Sequence, residues 1–128
     1  MSALLTFATS PHGLAPHTRF VLTDIDGADG LFSLQSADDS GIRLFVLDAG
    51  VYLPDYAPII SDEDCVALDI HAPTDALVLV VANPGADGTT TNLLAPIVVN
   101  AATGASAQII LEGQDYPLRA QLTADRAA

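Results

Sequence analysis

The 128-residue sequence contains no lysine and no tryptophan, only four arginines, one cysteine and few aromatic side chains. Each shortage removes a class of function. Sixteen Asp and Glu against four Arg leave a formal charge of -12. Such a field repels phosphate backbones, so direct nucleic-acid binding is not expected, and an anionic membrane surface is disfavoured for the same reason. A single thiol, Cys65, forbids an internal disulfide. The longest apolar run, "ALVLVVA" from Ala76 to Ala82, falls far below the roughly 18 residues of a membrane-spanning helix. The N-terminal "MSALLTFATSPHG" has neither the cationic start nor the apolar stretch of a secretory signal. The expected compartment is the cytoplasm.

What remains is a chain that is 50% hydrophobic, with a core to be built from Leu, Ile, Val and Ala. That composition folds, and its length suits one domain over residues 1–128 with a frayed tail at about 124–128. The negative surface would draw in a basic protein partner, mainly by raising association rate and selectivity. A coding bias against lysine is the competing explanation of the charge.

Short β-prone runs recur between turn residues: "LLTFA", "RFVL", "LFSLQ", "IRLFVL", "ALVLVVA", "PIVV", "AQIIL" and "YPLRAQL". No segment sustains apolar residues at helical spacing, so the chain reads as all-β. "PIVVN" and "AQIILE", joined by the small-residue loop "AATGAS", should form an antiparallel hairpin. Ile97, Val98 and Val99 in series predict a strand covered on both faces. Ile109 and Leu111 share one face of the next strand, with Gln108, Ile110 and Glu112 opposite. "SDEDCVALDI" predicts one or two helical turns capped by Ser61, with acids in the first turn. A second short turn is expected at Thr74 and Asp75. "NPGADGTTT", Asn83 to Thr91, reads as an exposed, mobile loop.

Catalytic and metal chemistry finds little support. "DIDGADGLFSLQ" fails as a calcium loop, because Asp29 stands where glycine is required and Gln35 where the bidentate glutamate belongs, which leaves an acidic hairpin turn. His12, His17 and His71 share no ligand spacing with each other or with Cys65. Cys65 lies among carboxylates that disfavour a thiolate, and reads as a buried structural thiol. Ser36 belongs to no nucleophile elbow, and Asp38 and Asp39 read as solvated turn acids. No catalytic, cofactor-binding or metal-binding residue is therefore assigned.

Four pieces in order, "LFSLQS" (31–36), "RLFVLDAGVYLPDY" (43–56), "TTTNLLAPIVVN" (89–100) and "QIILEGQDYPLR" (108–119), together resemble the flagellar assembly factor FliW family. The resemblance runs from about residue 13 to 122. The sequence departs from the family's pattern at Ala49, where proline is usual, and in a shorter segment after Gly13 and Leu14 that lacks a common aromatic residue. The resemblance implies a compact antiparallel barrel-like β fold with one or two short helical turns, and a non-enzymatic protein that binds flagellin in the cytoplasm. It also implies that the protein, when free, binds and antagonises the RNA-binding translational regulator CsrA, so that flagellin synthesis follows export.

Within "TTTNLLAPIVVN", Thr91, Asn92 and Pro96 have a local task as a turn that fixes the strand entry. Leu93 and Leu94 cannot both point inward from an extended segment, so one of them is expected in an exposed apolar patch suited to a flagellin helix. Leu93 and Leu94 are thus the apolar partner-binding candidates, with the polar Asn92 beside them, and Asp62, Glu63 and Asp64 the electrostatic ones. Gln35 and Ser36 read as turn or core-edge residues, and Tyr56 and Tyr116 as packed rings with wetted hydroxyls. The rival reading is a small-molecule-binding or enzymatic β-barrel with its ligand in the barrel mouth. A deep pocket with convergent polar groups would favour that rival, and a solid core with an exposed apolar groove would favour partner binding. An acidic domain with a merely structural role is the third reading.

Overall fold

The computed structural model describes residues 2–7, 14, 17–25, 27, 30–39, 41–53, 56, 58–72, 75–85, 88–111, 116 and 120–121. Its strands in chain order are β1 (Ser2–Phe7), β2 (Arg19–Asp24), β3 (Leu31–Ser36), β4 (Arg43–Asp48), β5 (Ala76–Gly85), β6 (Gly88–Thr91), β7 (Ile97–Asn100), β8 (Ala105–Gln108) and β9 (Ala120–Gln121). Two short helices, α1 (Ala49–Tyr52) and α2 (Asp62–Ala67), lie between β4 and β5.

Seven strands run β4-β3-β2-β1-β8-β7-β5, and the pairing of β5 with β4 closes the ring. Closure leaves no open edge within the barrel. The pairings are antiparallel except β1 with β8, which is parallel at Thr6 to Ala105 and Phe7 to Ser106. β6 continues from the far end of β5 and carries β9 on its other edge. The β7–β8 hairpin forms as its sequence predicts, with Val98 opposite Ala107. In the loop between them Gly104 has φ +81, and a side chain there would meet the Leu4 carbonyl oxygen at 2.5 Å. Only glycine fits such an approach.

Strand alternation divides the apolar residues between two faces. Leu5, Phe7, Phe20, Leu22, Leu34, Val46, Leu79, Ile97 and Val99 fill the barrel, where Phe7 meets Phe20 edge to face at 5.5 Å. Their outward neighbours are covered as well. Val98 packs with Leu68, Ile70, Ile109 and Leu111, while Leu47, Ala49, Val80 and Ala82 form a third cluster flanked by Tyr52, Leu53 and Leu93. All four residues of β7 are buried in consequence. The chain between β4 and β5 wraps the outside of the barrel and gives it a second core.

Several expectations need correction. Asn83 to Thr91 is not simply a loop: β5 runs on to Gly85 and pairs with β6 through Asn83 to Thr90 and Pro84 to Thr89. Helix α1 had no predicted counterpart. It starts where the Asp48 carboxylate accepts the Gly50 N–H at 2.9 Å. Ala49 is its first residue, a position whose N–H has no intrahelical acceptor and which therefore suits proline equally. β8 ends at Gln108, earlier than the predicted strand, although Ile109 and Leu111 are still both buried, in the cluster on the outer face of the barrel, and Ile110 is exposed. The acidic stretch after Asp24 is a hairpin turn as predicted, closed by Ile25 N–H to the Leu31 carbonyl, with Gly27 and Gly30 at positive φ. Asp75 sits in a short turn, its N–H bonded to Ala72 O. Asp26, Ala28, Asp29, the segment following Gly13 except Leu14 and His17, His12, Thr74, Glu112 and the tail 124–128 lie outside the described residues.

Candidate functional site

β6 and β7 lie along the same edge of β5 as one interrupted strand. Thr91 stands opposite Ala82 and Ile97 opposite Leu79, so Asn92, Leu93, Leu94, Ala95 and Pro96 face only Val80 and Val81. The surplus bulges outward. Asn92 shapes it, its side-chain oxygen accepting the N–H groups of Leu94 at 3.1 Å and Ala95 at 3.0 Å. The bulge carbonyls are then claimed in turn: Leu93 O by the Tyr56 hydroxyl, Leu94 O by Leu111 N–H, Ala95 O by the Gln108 amide and Pro96 O by Ile109 N–H. Asn92 therefore fixes the bulge, as its side-chain chemistry predicts, while Thr89, Thr90 and Thr91 belong to the paired strand β6.

The bulge also redirects the leucines. Leu93 turns to the cluster around Val80, and Leu94 to the one around Val98. Both are half-buried, which corrects the expectation that one would lie in an exposed patch: the segment is not extended, so alternation does not apply. Tyr56 is corrected too. Its hydroxyl is bonded to Leu93 O rather than wetted, and its ring meets Tyr116 edge to face at 4.8 Å. Burial, reinforced by Tyr116, pushes the Tyr56 phenol well above its ordinary range.

Helix α2 forms from the predicted signals. Ser61 Oγ accepts the Asp64 N–H at 3.2 Å and donates to the Asp64 carboxylate at 2.9 Å. The helix ends with Ile70 N–H bonded to Cys65 O and Asp69 N–H to Val66 O, a Schellman arrangement that requires the left-handed conformation at Asp69, φ 58. Asn100, buried at the end of β7, holds this end against the barrel. It donates to Leu68 O at 2.8 Å and Asp69 O at 3.1 Å, and accepts from Ala102 and Thr103 N–H. All four of its hydrogen-bonding positions are used.

Between α2 and the outer face of β5 and β7 opens a groove of about 390 Å³, lined mainly by Pro58, Ile60, Cys65, Ile70, Val78 and Val98, with Asp62 and His71 at its polar edge. Two of the most exposed large apolar residues adjoin the lining in sequence, Ile59 at 74% and Val66 at 78%. Cys65, expected to be buried, is half-buried and forms part of the wall.

The FliW protein family model matches residues 1–122. The chain belongs to the FliW family. It is 29% identical over 126 residues to the flagellar assembly factor FliW of Treponema pallidum, covering 97% of this chain and 83% of that protein. Against the FliW of Ruminiclostridium cellulolyticum it is 31% identical over 119 residues, covering 91% and 80%. A crystal structure of the flagellar assembly factor FliW superposes with a TM-score of 0.86 at 26% identity, covering 93% of this chain and 84% of that one. The barrel expected from the FliW resemblance is thus the fold observed.

Within this FliW barrel the sequence-derived candidates occupy two places. Asn92, Leu93 and Leu94 form the bulge; Asp62, Glu63 and Asp64 form the first turn of α2, with Asp62 alone of the three lining the groove. The cluster beneath α2 connects them, since it includes both Leu94 and Cys65. Asp64 is held by Ser61, and Asp62 and Glu63 are exposed. The groove lining was missed, since each of its apolar residues reads singly as core. Ser36 is a turn residue as expected: it is buried and accepts the Asp38 and Asp39 N–H groups, with His17 Nδ1 3.2 Å away. Asp38 is not merely solvated; it pairs with Arg19 at 2.6 Å. Among the described residues no cluster of three or more His, Cys, Asp or Glu is placed to hold a metal ion, and no helix is long and apolar enough to cross a membrane.

Proposed function

We propose that this chain is a cytoplasmic, non-enzymatic docking protein that binds flagellin and, once flagellin has been exported, captures CsrA and relieves its repression of flagellin translation. The observation that carries the reading is the FliW match along nearly the whole chain, in sequence and in fold. Two physical features support it. The charge of -12 complements the basic surface of an RNA-binding regulator, and the barrel interior is filled by side chains such as Phe7, Phe20, Leu34 and Ile97 while the groove opens on the outside. That disposition favours a polypeptide partner over a ligand in the barrel mouth. In this reading Asp62, Glu63 and Asp64 steer the basic partner, and Leu93 and Leu94, set by Asn92, offer flagellin the uncovered parts of their side chains. Calorimetric titration of the purified chain with flagellin and with CsrA from its own organism tests the proposal. Heat of specific binding is expected with each, and binding of neither would remove the reading.

A further inference from the structure

The groove beside α2 has an apolar floor of Ile60, Ile70, Val78 and Val98 and an acid at its edge, and no arginine is among the described residues of its lining. Among the described residues the Asp62 side chain has no partner, and the carboxylate of Asp69, the residue before Ile70 of the lining, meets only the exposed His71 ring, at 2.9 Å. Of the described arginines, Arg19 is paired with Asp38 and Arg43 lies over the Phe45 ring at 4.9 Å. The carboxylates at this groove are therefore not neutralised by either. An apolar trough continued by Ile59 and Val66, with the exposed Asp62 at its edge and Asp69 beside it, is complementary to one kind of surface.

We propose that this groove docks a short basic amphipathic segment of a polypeptide partner, with aliphatic side chains seated on Ile60, Val78 and Val98 and Lys or Arg side chains against Asp62 and Asp69. The volume, about 390 Å³, lies at the small end of the range for built binding sites, which suits a few side chains rather than a whole domain. The proposal rests on the reading of the chain as a polypeptide-docking protein, and adds the place and the chemistry.

Cys65 makes the groove testable, because it is the sole cysteine of the chain and part of the groove wall. The probe is a Leu/Lys amphipathic helix-forming peptide, with the same peptide carrying Glu for each Lys as control. With the Lys peptide at ten times its Kd, alkylation of Cys65 should slow about ten-fold, as occupancy of a single site requires, and the Glu peptide should leave it unchanged. Asp62→Asn should weaken the Lys peptide about two- to five-fold, the scale of one exposed ion pair, and flatten its salt dependence. Ala72→Phe, which fills the groove, should abolish protection while circular dichroism and thermal melting report a folded chain. Equal protection by both peptides, protection unchanged in Ala72→Phe, or none at all overturns the proposal. If Cys65 of the free chain resists alkylation, calorimetric affinity of the Lys peptide for the Ala72→Phe variant decides in the same sense. The two readings fail separately: flagellin or CsrA binding without any change at Cys65 removes the groove and keeps the function. Lys-peptide protection without binding of either protein does the reverse.

Discussion

The Tyr56 hydroxyl donates to the carbonyl oxygen of Leu93 across 2.5 Å, tying the segment that follows α1 to the bulge between β6 and β7. This bond fastens the outer wrap of the chain onto the barrel at the point where Leu93 and Leu94 part.

Tyr56→Phe keeps the ring against Tyr116 and leaves Leu93 O without its donor, which should cost about 1–2 kcal/mol in urea unfolding. The pH dependence has a definite sign. Because the folded state raises the phenol pKa, the unfolded chain loses this proton first. Stability is then unaffected below about pH 10, the ordinary phenol value, and falls as pH rises above it. The Phe variant should show a shallower alkaline loss than the parent, and equal slopes would contradict the assignment.

Asn100 joins α2 to the β7–β8 turn with its full set of hydrogen bonds. Asn100→Ala orphans the Leu68 and Asp69 carbonyls together with two N–H groups, and should destabilise by about 2–4 kcal/mol. Asn100→Asp should be worse near neutrality, since a carboxylate cannot donate to those carbonyls. Chemical denaturation of both variants checks the order, and a cost below that of an ordinary surface substitution would deny Asn100 this role.

Asp69 is the one described non-glycine residue at positive φ. Asp69→Gly should raise stability by up to about 1 kcal/mol by relieving the left-handed conformation at the end of α2. Asp69→Val should lower it. Melting temperatures moving in the opposite order would show that the His71 contact outweighs the backbone term.

Leu93 and Leu94 contribute to separate clusters, so replacing either by Asp should lower stability as well as any partner affinity. Leu93→Ala and Leu94→Ala separate the two effects. Each should unfold cooperatively after a loss of about 1–3 kcal/mol, below the range for fully buried leucines. Weakened flagellin binding in a folded Ala variant supports a contact role, and undiminished binding restricts these leucines to packing.

Much of this architecture is legible in the residues because the decisive signals are local. Alternation marks β1 to β4, an unbroken apolar run marks β7 as covered on both sides, and Ser61 with its following acids marks α2. The features that escaped prediction depend on distant partners. β6 is a threonine-rich segment whose strand character comes from pairing with β5 and β9. α1 is a four-residue helix continuing directly from β4, too short to show a period. The bulge required knowing that Thr91 and Ile97 share an edge of β5, and without it Leu93 and Leu94 look like an alternating pair. The groove is built from residues around 58–62, 65, 70–72, 76–78 and 98, which no local pattern brings together.

The most direct test of the central claim, that this acidic barrel acts by docking other polypeptides, is a two-step calorimetric experiment. The chain is titrated with CsrA alone and again after saturation with flagellin. Binding of CsrA to the free chain and its loss or marked weakening on the flagellin-loaded chain is the predicted result, and an absence of binding to either protein would contradict the account.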